Sequence, residues 1–357
     1  MTARDTVQSA FIRRFGLVSW IACFLSILSA PAFAQGNFYK GKLVTVIAGE
    51  VPGGALDAYA RVLATGLNRH LPGNPTVIVQ NMPGAATVVA TNHLAKRAPR
   101  DGTVLLMALS TAPFAAMFGI DAATYKATDL TWIGNFDQAT DTCSVWKGSG
   151  IESLDDLRKK PAIFGAVAPS GIASEYPRSM NALLGTHIKV IHGYAGTAGL
   201  LLAMQRGEIQ GACAYMVSAL NSSFKADYAA GRLVPIIQFA KRSDELKGVP
   251  YMLDLARTDE EKQLFNLLYT RDIIGRLVAA PPDLPPERTA MLRAAFEATV
   301  KDPDIIESLR KSGMPLVPMS GQEVEAFVKR YVSVPPDVLA RARSILDAGV
   351  IESLPKK

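Results

Sequence analysis

Short apolar runs alternate with helix-like patterns from residue 42 to residue 240, and four of these runs end in a loop that contains glycine. The four runs predict strands at Leu43–Ala48, Thr76–Gln80, Ile163–Val167 and His187–His192. Beyond each loop, apolar residues recur at helical spacing, so each loop is predicted to lead into a helix. Strands that alternate with helices are typical of a parallel-rich α/β fold.

The four loops share an architecture rather than a sequence. In chain order we call them loops 1 to 4, and they span Glu50–Ala55, Asn81–Ala86, Ala168–Ala173 and Gly193–Ala198. Each loop precedes a helix, so it can aim free backbone N–H groups at a small anion. Ligands of open α/β sheets bind at the carboxyl ends of strands. The pattern therefore predicts a ligand held between two lobes, with two loops from each lobe.

The rest of the pattern predicts more strands before residue 240 and a helix-rich C-terminal third. The additional strands are Val104–Ala108, 132–134, Thr142–Trp146, Ala212–Val217 and Leu233–Ala240. Later elements are a helix at Asp259–Tyr269, a strand at Ile273–Ala279, the stiff connector Pro281–Pro286, and helices at 285–300, 302–312, 321–332 and 335–346. We expect these helices to wrap a core that is built earlier in the chain.

The N-terminus has the features of a secretory signal peptide. Arg13 and Arg14 precede an apolar stretch, Phe15–Leu28, that is too short to span a bilayer. Ala32-Phe33-Ala34 then supplies the small-x-small pattern of a cleavage site. We expect cleavage after Ala34 and a soluble mature protein in the periplasm. The paired arginines leave both the general secretory route and the twin-arginine route open.

Composition and motifs exclude several classes of function. The formal net charge of +6 is spread over interspersed acids and bases, so we expect no nucleic-acid partner. The sequence contains none of the P-loop, HExxH, GxSxG or dinucleotide-binding motifs. His187 and His192 face opposite sides of their predicted strand, so we expect no metal site and no cofactor. We expect a binding protein and not an enzyme.

Ser170 in loop 3 and Asp57 just after loop 1 each have more than one role that fits the sequence. Ser170 follows a strand and offers a hydroxyl, but a nucleophile also needs a histidine base and an orienting acid, and no spacing identifies either one. A secreted hydrolase that uses Ser170, or a sensory or scaffold binding protein, therefore remains the alternative. Asp57 lies in a first helical turn, where it caps amides, contacts a ligand, or does both. Glu50 is expected to point to solvent.

Several segments in order and spacing resemble the receptors of tripartite tricarboxylate transporters, the Bug family. The segments are Phe38–Lys42, Pro52–Gly54 with Asp57–Arg61, Pro72–Pro75 followed by Val79–Ala85, Ala98–Thr103 and, more weakly, Ser153–Leu157. The resemblance implies a type II periplasmic binding-protein fold, with two α/β lobes around a ligand cleft and a helix-rich C-terminal segment. It places residues 35–142 and 240–357 in lobe 1 and residues 143–239 in lobe 2. It also implies a monomer that delivers a small carboxylate to a membrane permease.

The resemblance also implies a set of ligand-binding residues, carried over by position. They are Pro52, Gly53, Ala55 and Asp57 at loop 1; Gly84, Ala85 and Ala86 at loop 2; Ser170, Gly171, Ala173 and Ser174 at loop 3; and Tyr194, Ala195, Gly196 and Thr197 at loop 4. The family typically binds carboxylates through loop amides and waters, and these loops contain no Lys or Arg. Several positions, such as Ala55 and Ala86, are bulkier than in the family pattern, which leaves the identity of the ligand open.

Two cysteines, Cys143 and Cys213, remain after the predicted cleavage. An even pair in an exported chain is compatible with one disulfide, and two small buried apolar residues are the alternative. In the fold that the resemblance implies, Cys143 lies near the first lobe crossing and Cys213 lies on a neighbouring strand. The resemblance therefore favours the disulfide.

Overall fold

The computed structural model describes residues 38–169 and 171–353, so the predicted signal peptide and Ser170 lie outside the described residues. The strands are β1 Leu43–Ala48, β2 Thr76–Asn81, β3 Val104–Ala108, β4 Thr131–Asn135, β5 Thr140–Trp146, β6 Ala162–Ala166, β7 Ile188–His192, β8 Gly211–Met216, β9 Leu233–Ala240, β10 Leu277–Ala280 and β11 Met319–Ser320. The helices are α1 Ala55–His70, α2 Val88–Lys96, α3 Leu154–Lys159, α4 Ile172–Leu184, α5 Gly196–Gln205, α6 Val217–Leu220, α7 Lys225–Ala229, α8 Asp259–Tyr269, α9 Pro286–Lys301, α10 Pro303–Lys311, α11 Gly321–Val332 and α12 Pro336–Ser353.

The strands form two separate sheets. The first sheet has the order β11-β4-β10-β3-β1-β2, and the second has the order β7-β6-β8-β5-β9. In the first sheet β1 runs parallel to β2 and β3, whereas β10 runs antiparallel to β3 and β4. In the second sheet β6 runs parallel to β7 and β8, and β5 runs antiparallel to β8 and β9. This arrangement confirms the predicted α/β class with its parallel-rich halves.

The chain crosses between the sheets at their carboxyl edges. The C-terminal residues of β3 and β4, Ala108 and Asn135, both pair with Leu277. After Asn135, a segment of four residues, 136–139, leads into β5, whose start lies opposite the ends of β8 and β9. The second connection leaves the end of β9 and returns to β10. Both connections therefore join the edges at which the predicted loops lie.

Aromatic side chains pack the segment after β9 onto the second sheet and its helix α4. The rings of Tyr176 and Phe239 stack with their centroids 4.2 Å apart, and Tyr269 packs against both rings. The hydroxyl of Tyr269 donates to Ser179 Oγ at 2.7 Å. Helix α12 packs against α4 and α8, so the C-terminal helices contact the second sheet's helical layer as well. The segment after β9 thus stabilises the position of α4.

One predicted strand starts later than the sequence pattern indicated. The strand expected at Ile273–Ala279 is β10, which begins at Leu277, and Arg271–Ile273 forms a 3-10 turn instead. In this turn the side chains of Arg271 and Asp272 make ion-pair and hydrogen-bond contacts with α4. The boundary error therefore has a tertiary cause.

Cys143 on β5 lies directly opposite Cys213 on β8. Their Cα atoms are 3.9 Å apart, and both residues are fully buried. The two sulfur atoms lie at bonding distance from each other. The pairing of the two antiparallel strands thus brings the cysteines together.

We predict that Gly66→Ala destabilises the protein and that Gly199→Ala does not. Both glycines lie in helices, where alanine has the higher helix propensity by about 1 kcal/mol. A Cβ at Gly66 would lie 2.2 Å from the side chain of Thr299 on α9, whereas a Cβ at Gly199 meets no atom closer than 3.6 Å. Overpacking of this kind typically costs about 1–3 kcal/mol.

Thermal unfolding followed by circular dichroism measures the difference between these two variants. A lower midpoint is expected for Gly66→Ala, and an equal or higher midpoint is expected for Gly199→Ala. Equal midpoints for the two variants would contradict close packing of α1 on α9.

Candidate functional site

The four loops lie at the edges that the crossing segments join. Loops 1 and 2 follow the parallel strands β1 and β2 of the first sheet, and loops 3 and 4 follow the parallel strands β6 and β7 of the second. The ends of β4 and β8 lie at the same two edges, because β4 is parallel to β1 and β8 is parallel to β6. The loops of both sheets therefore border one junction.

Asp57 holds loop 1 in place. Asp57 is 3 % exposed, and its Oδ2 accepts a hydrogen bond from the Gly53 N–H at 2.9 Å. Arg61 donates to both carboxylate oxygens at 3.0 Å, and Asn81 Nδ2 donates to Oδ1 at 2.9 Å. The hydrogen bond from Arg61 is the main cause that lowers the pKa of Asp57 to about 2. All these donors belong to the protein, so Asp57 ties loop 1, α1 and the end of β2 together.

Glu50 turns back onto the start of α1. Its Oε2 accepts a hydrogen bond from the Leu56 N–H at 2.8 Å. A Cβ at Gly54 would lie 2.3 Å from the carboxyl carbon of Glu50, so the side chain lies directly against this glycine. The expectation that Glu50 points to solvent is therefore wrong. The free amides at the start of a helix attract an acceptor, and Glu50 supplies one.

Loop 2 has an unusual backbone. After Gly84, whose φ is 143°, Ala85, Ala86 and Thr87 have φ values of 44°, 49° and 75°. Three consecutive left-handed residues with side chains are costly, about 1–2 kcal/mol each. The Thr91 hydroxyl donates to the Thr87 carbonyl at 2.8 Å and helps to hold this conformation. Strained backbone of this kind is concentrated at functional sites.

Loop 3 is tied to a polar network that sequence reasoning missed. The Gly171 N–H donates to Glu175 Oε1 at 3.2 Å, and the other oxygen of Glu175 forms an ion pair with Arg271. The Arg271 guanidinium lies over the Phe118 ring, 4.6 Å from its centroid. The only local signal in the sequence is the charged pair of residues 271 and 272 next to a predicted buried strand.

The same network reaches the first sheet through Asp272. Its carboxylate accepts from the Tyr176 hydroxyl at 3.0 Å and from the Ser110 hydroxyl at 3.4 Å. Ser110 follows β3, so the contacts join α4 to the loop edge of the first sheet. Burial raises the pKa of Asp272, and it raises that of Asp141 to about 8, where the charges of Asp272 and Asp137 add to the effect.

Several of the predicted ligand residues at loops 3 and 4 make contacts within the protein. Ser174 is fully buried, and its hydroxyl is hydrogen-bonded to His192 Nε2 at 2.9 Å, so its side chain is directed into the protein. The Tyr194 ring packs on β6, 3.1 Å from the Cβ position of Gly165. Gly196 and Thr197 form the first turn of α5, and the Thr197 carbonyl accepts from the Tyr215 hydroxyl at 3.2 Å.

The other predicted residues, where described, present backbone or small side chains at the surface of the loops. Exposed members are Pro52, Gly53, Ala55, Gly84, Ala85, Ala86, Gly171, Ala195 and Gly196, and Ala173 is partly exposed. Among the arginines beside the loops, Arg61 is engaged by Asp57 and Arg271 by Glu175. The buried Arg178 of α4 donates from Nε to the Ser174 carbonyl at 3.2 Å, and its Nη1 has no hydrogen-bond partner among the described residues. The described part of the loops therefore offers main-chain groups rather than free cationic side chains.

Three further findings concern cavities, metal sites and membrane-spanning helices. A cavity of about 330 Å³ lies beside the crossing segments, with Asp137, Thr140, Ser218 and Lys241 in its wall, and none of the predicted ligand residues lines it. Within residues 38–169 and 171–353, no group of three or more His, Cys, Asp or Glu residues is placed to hold a metal ion. None of the helices in this part of the chain is long and apolar enough to cross a membrane.

Known structures share this fold. A TctC solute-binding protein from Polaromonas superposes with a TM-score of 0.66 and 16% identity, over 86% of this chain and 98% of that one. The R. palustris protein Rpa4515, solved with adipate, superposes with a TM-score of 0.58 and 20% identity, over 86% of this chain and 97% of that one. At these identities the likeness shows the fold alone, which is the two-lobe fold of periplasmic solute-binding proteins.

Sequence comparison gives the family. A UPF0065 protein encoded in the TAR-I ttuE-ttuC′ intergenic region of Agrobacterium vitis is 26% identical over 301 residues, which cover 82% of each chain. Residues 59–340 match the family model described as tripartite tricarboxylate transporter family receptor. This match covers most of the sequence and includes the motif segments Pro72–Pro75, Val79–Ala85 and Ala98–Thr103. The chain therefore belongs to the tripartite tricarboxylate transporter receptor family.

Proposed function

We propose that this receptor binds a small carboxylate between its two lobes and delivers it to the membrane permease of a tripartite tricarboxylate transporter. The observation that carries the proposal is the position of loops 1 to 4, which border one junction between the sheets. The adipate in the related R. palustris structure is consistent with this ligand class. The proposed role is binding and transport, not catalysis.

Main-chain amides bind the ligand in this proposal. The amide contacts come from the exposed residues of loops 2 and 4, with Ser170 and Tyr194 as side-chain donors. The amides of Gly53, Leu56 and Gly171 are donated to acidic side chains of the protein, so loops 1 and 3 contribute a close approach to their backbone at Gly53 and Gly171. Asp57 and Ser174 act indirectly, because their side chains are hydrogen-bonded within the protein. A helix N-terminus carries only about half a charge, so several termini must converge on the anion. Tight binding therefore requires closure of the lobes.

The two sheets are proposed to be the moving lobes. The boundaries expected from the sequence, 35–142 with 240–357 for lobe 1 and 143–239 for lobe 2, fall inside β5 and β9 of the second sheet. The proposed lobes are therefore residues 35–139 with 241–357 and residues 140–240. Residues 136–139 and the return after β9 act as the hinge. A ligand that contacts both lobes has a higher affinity for the closed form, and this difference signals the loaded state to the permease.

Export is part of the proposal. The mature receptor begins after Ala34, is located in the periplasm and acts as a monomer. The periplasm is oxidising, so Cys143 and Cys213 are proposed to form a disulfide there. Their cross-strand position supports this pairing.

We predict that Gly53→Val and Gly171→Val each abolish carboxylate binding, whereas Gly148→Val does not. The three glycines have φ values of +84°, +97° and +83°, and a Cβ at each position meets no atom within 4 Å. All three substitutions therefore impose a similar backbone strain. Only Gly53 and Gly171 lie at the proposed ligand, where a β-branched side chain blocks approach to the backbone.

Thermal-shift screening with mono-, di- and tricarboxylates identifies a ligand, and calorimetry then gives its Kd for each variant. Gly148 follows β5 at the opposite edge of the second sheet, so its variant is the matched control for strain. Wild-type affinity in Gly53→Val and Gly171→Val would contradict an amide-lined site.

We predict that Asp57→Asn destabilises the protein at pH 7 by about 1–2 kcal/mol, a typical value for hydrogen bonds to a charged group. The pKa of Asp57 in the folded protein, about 2, lies below the ordinary value of 3.8. Its contribution is therefore full above about pH 4 and is lost as the pH falls towards 2.

Urea unfolding at pH 7 and at pH 3 measures this effect. The difference between wild type and Asp57→Asn should shrink at the lower pH, whereas the exposed control Asp121→Asn should match wild type at both values. A difference that is the same at pH 7 and pH 3 would argue against a charged, hydrogen-bonded Asp57.

We predict that protein purified from the periplasm contains no free thiol at Cys143 or Cys213. The crosslink closes a loop with a sequence separation of 70, for which chain entropy gives about 4 kcal/mol of stabilisation. Thiol labelling under denaturing conditions, with and without reductant, measures the redox state. Reduction should lower the unfolding midpoint of the wild type and leave that of the Cys143→Ser/Cys213→Ser double variant unchanged. Full labelling without reductant would exclude the disulfide.

A further inference from the structure

Glu50 places a carboxylate at the proposed ligand site. Its Oε2 accepts from the Leu56 N–H at 2.8 Å, and its carboxyl group lies against Gly54. Asn81 Nδ2 donates to the Glu50 carbonyl at 3.0 Å, which holds the backbone of loop 1 in this turn. The side chain thus occupies a position at the start of α1 that an anionic ligand would otherwise take.

The negative charge of Glu50 has no cationic partner among the described residues. No Lys, Arg or His nitrogen of the described chain lies within 4 Å of its carboxylate. Arg61, the basic residue of this helix turn, directs its donors to Asp57 instead. At the start of α1, the charge of the Asp57 carboxylate is therefore neutralised by Arg61, whereas the charge of the Glu50 carboxylate is not neutralised by a described residue. A second negative group brought beside Glu50 in a closing cleft would be repelled.

The amides of loop 1 are also partly engaged. The Gly53 N–H donates to Asp57, and the Leu56 N–H donates to Glu50. Loops 2 and 4 differ, because neither contains an acidic side chain. The Glu175 carboxylate at loop 3 is neutralised by Arg271. The acidic side chain without a cationic partner thus lies at loop 1, and its charge places the anionic end of a ligand at the other loops.

We propose that Glu50 is a specificity-determining residue that selects a monocarboxylate whose other end is a hydrogen-bond donor, either cationic or uncharged, and that disfavours a second carboxylate. This inference rests on the proposed function, since it assigns the charge of the ligand at that same site. The donor end of the ligand faces Glu50, and its carboxylate faces the loops without acidic side chains. Lobe closure strengthens the selection, because removal of water increases the repulsion between like charges.

The test compares ligands that are matched in length. The pairs are succinate with β-alanine, glutarate with γ-aminobutyrate, and adipate with δ-aminovalerate, in which an ammonium group stands where the diacid has its second carboxylate. Kd values are measured by calorimetry for wild type and for Glu50→Gln. The glutamine keeps the size of the side chain and an oxygen acceptor for the Leu56 N–H, and it removes the charge.

Wild type is expected to bind the amino acid of at least one pair about tenfold tighter than its diacid. Glu50→Gln is expected to shift this ratio by about tenfold towards the diacid, and Glu50→Ala is expected to shift it in the same direction. The control Asp156→Asn removes a carboxylate that accepts the Glu152 N–H at the start of α3, near the opposite edge of the second sheet. Its ratio should equal that of wild type.

Two results would overturn the assignment of Glu50 while leaving the proposed function intact. One is a wild type that prefers the diacids, and the other is a ratio that Glu50→Gln and Glu50→Ala leave unchanged. If neither wild type nor any variant binds a member of any pair or of the wider carboxylate panel, the proposed function itself fails, and the inference fails with it. Thermal unfolding of each variant shows that it is folded at the temperature of the titration.

Discussion

The short crossing between the sheets is the constraint on which the rest of the arrangement depends. Residues 136–139 are four residues, and an extended chain of that length spans at most about 14 Å. The carboxyl edges of the two sheets must therefore stay close to each other. Because parallel strands end at these edges, loops from both sheets are brought to one junction.

Acidic side chains of the protein itself hold the helix starts at this junction. Asp57 accepts the Gly53 amide, Glu50 accepts the Leu56 amide, and Glu175 accepts the Gly171 amide. Two of these acids have an arginine partner, which reduces the net charge that they place at the junction. Glu50 has no cationic partner among the described residues. The internal anions thus stabilise the loops, and in our proposal Glu50 also selects the charge of the ligand.

The network around Arg271 connects the two halves at the base of the junction. It runs from the loop 3 amide through Glu175 to Arg271, and the neighbouring Asp272 continues it to Ser110 of the first sheet. Its charged groups are largely buried, and such groups are stable only while each has partners. A change in the position of loop 3 therefore affects contacts with the first sheet. In the proposed function, this coupling links ligand contact to lobe closure.

The sequence by itself determined the fold class, the family and the positions of the main strands along the chain. Apolar runs located β1 at Leu43–Ala48 and β9 at Leu233–Ala240, because buried strands require apolar residues whatever their neighbours are. Ordered motifs such as Pro52–Gly54 indicated the family. The tertiary structure alone decided the direction of Glu50, the left-handed backbone of 85–87 and the engagement of Arg271. These features depend on partners that are distant in sequence or on turns whose conformation neighbouring elements impose, and local patterns carry no information about either.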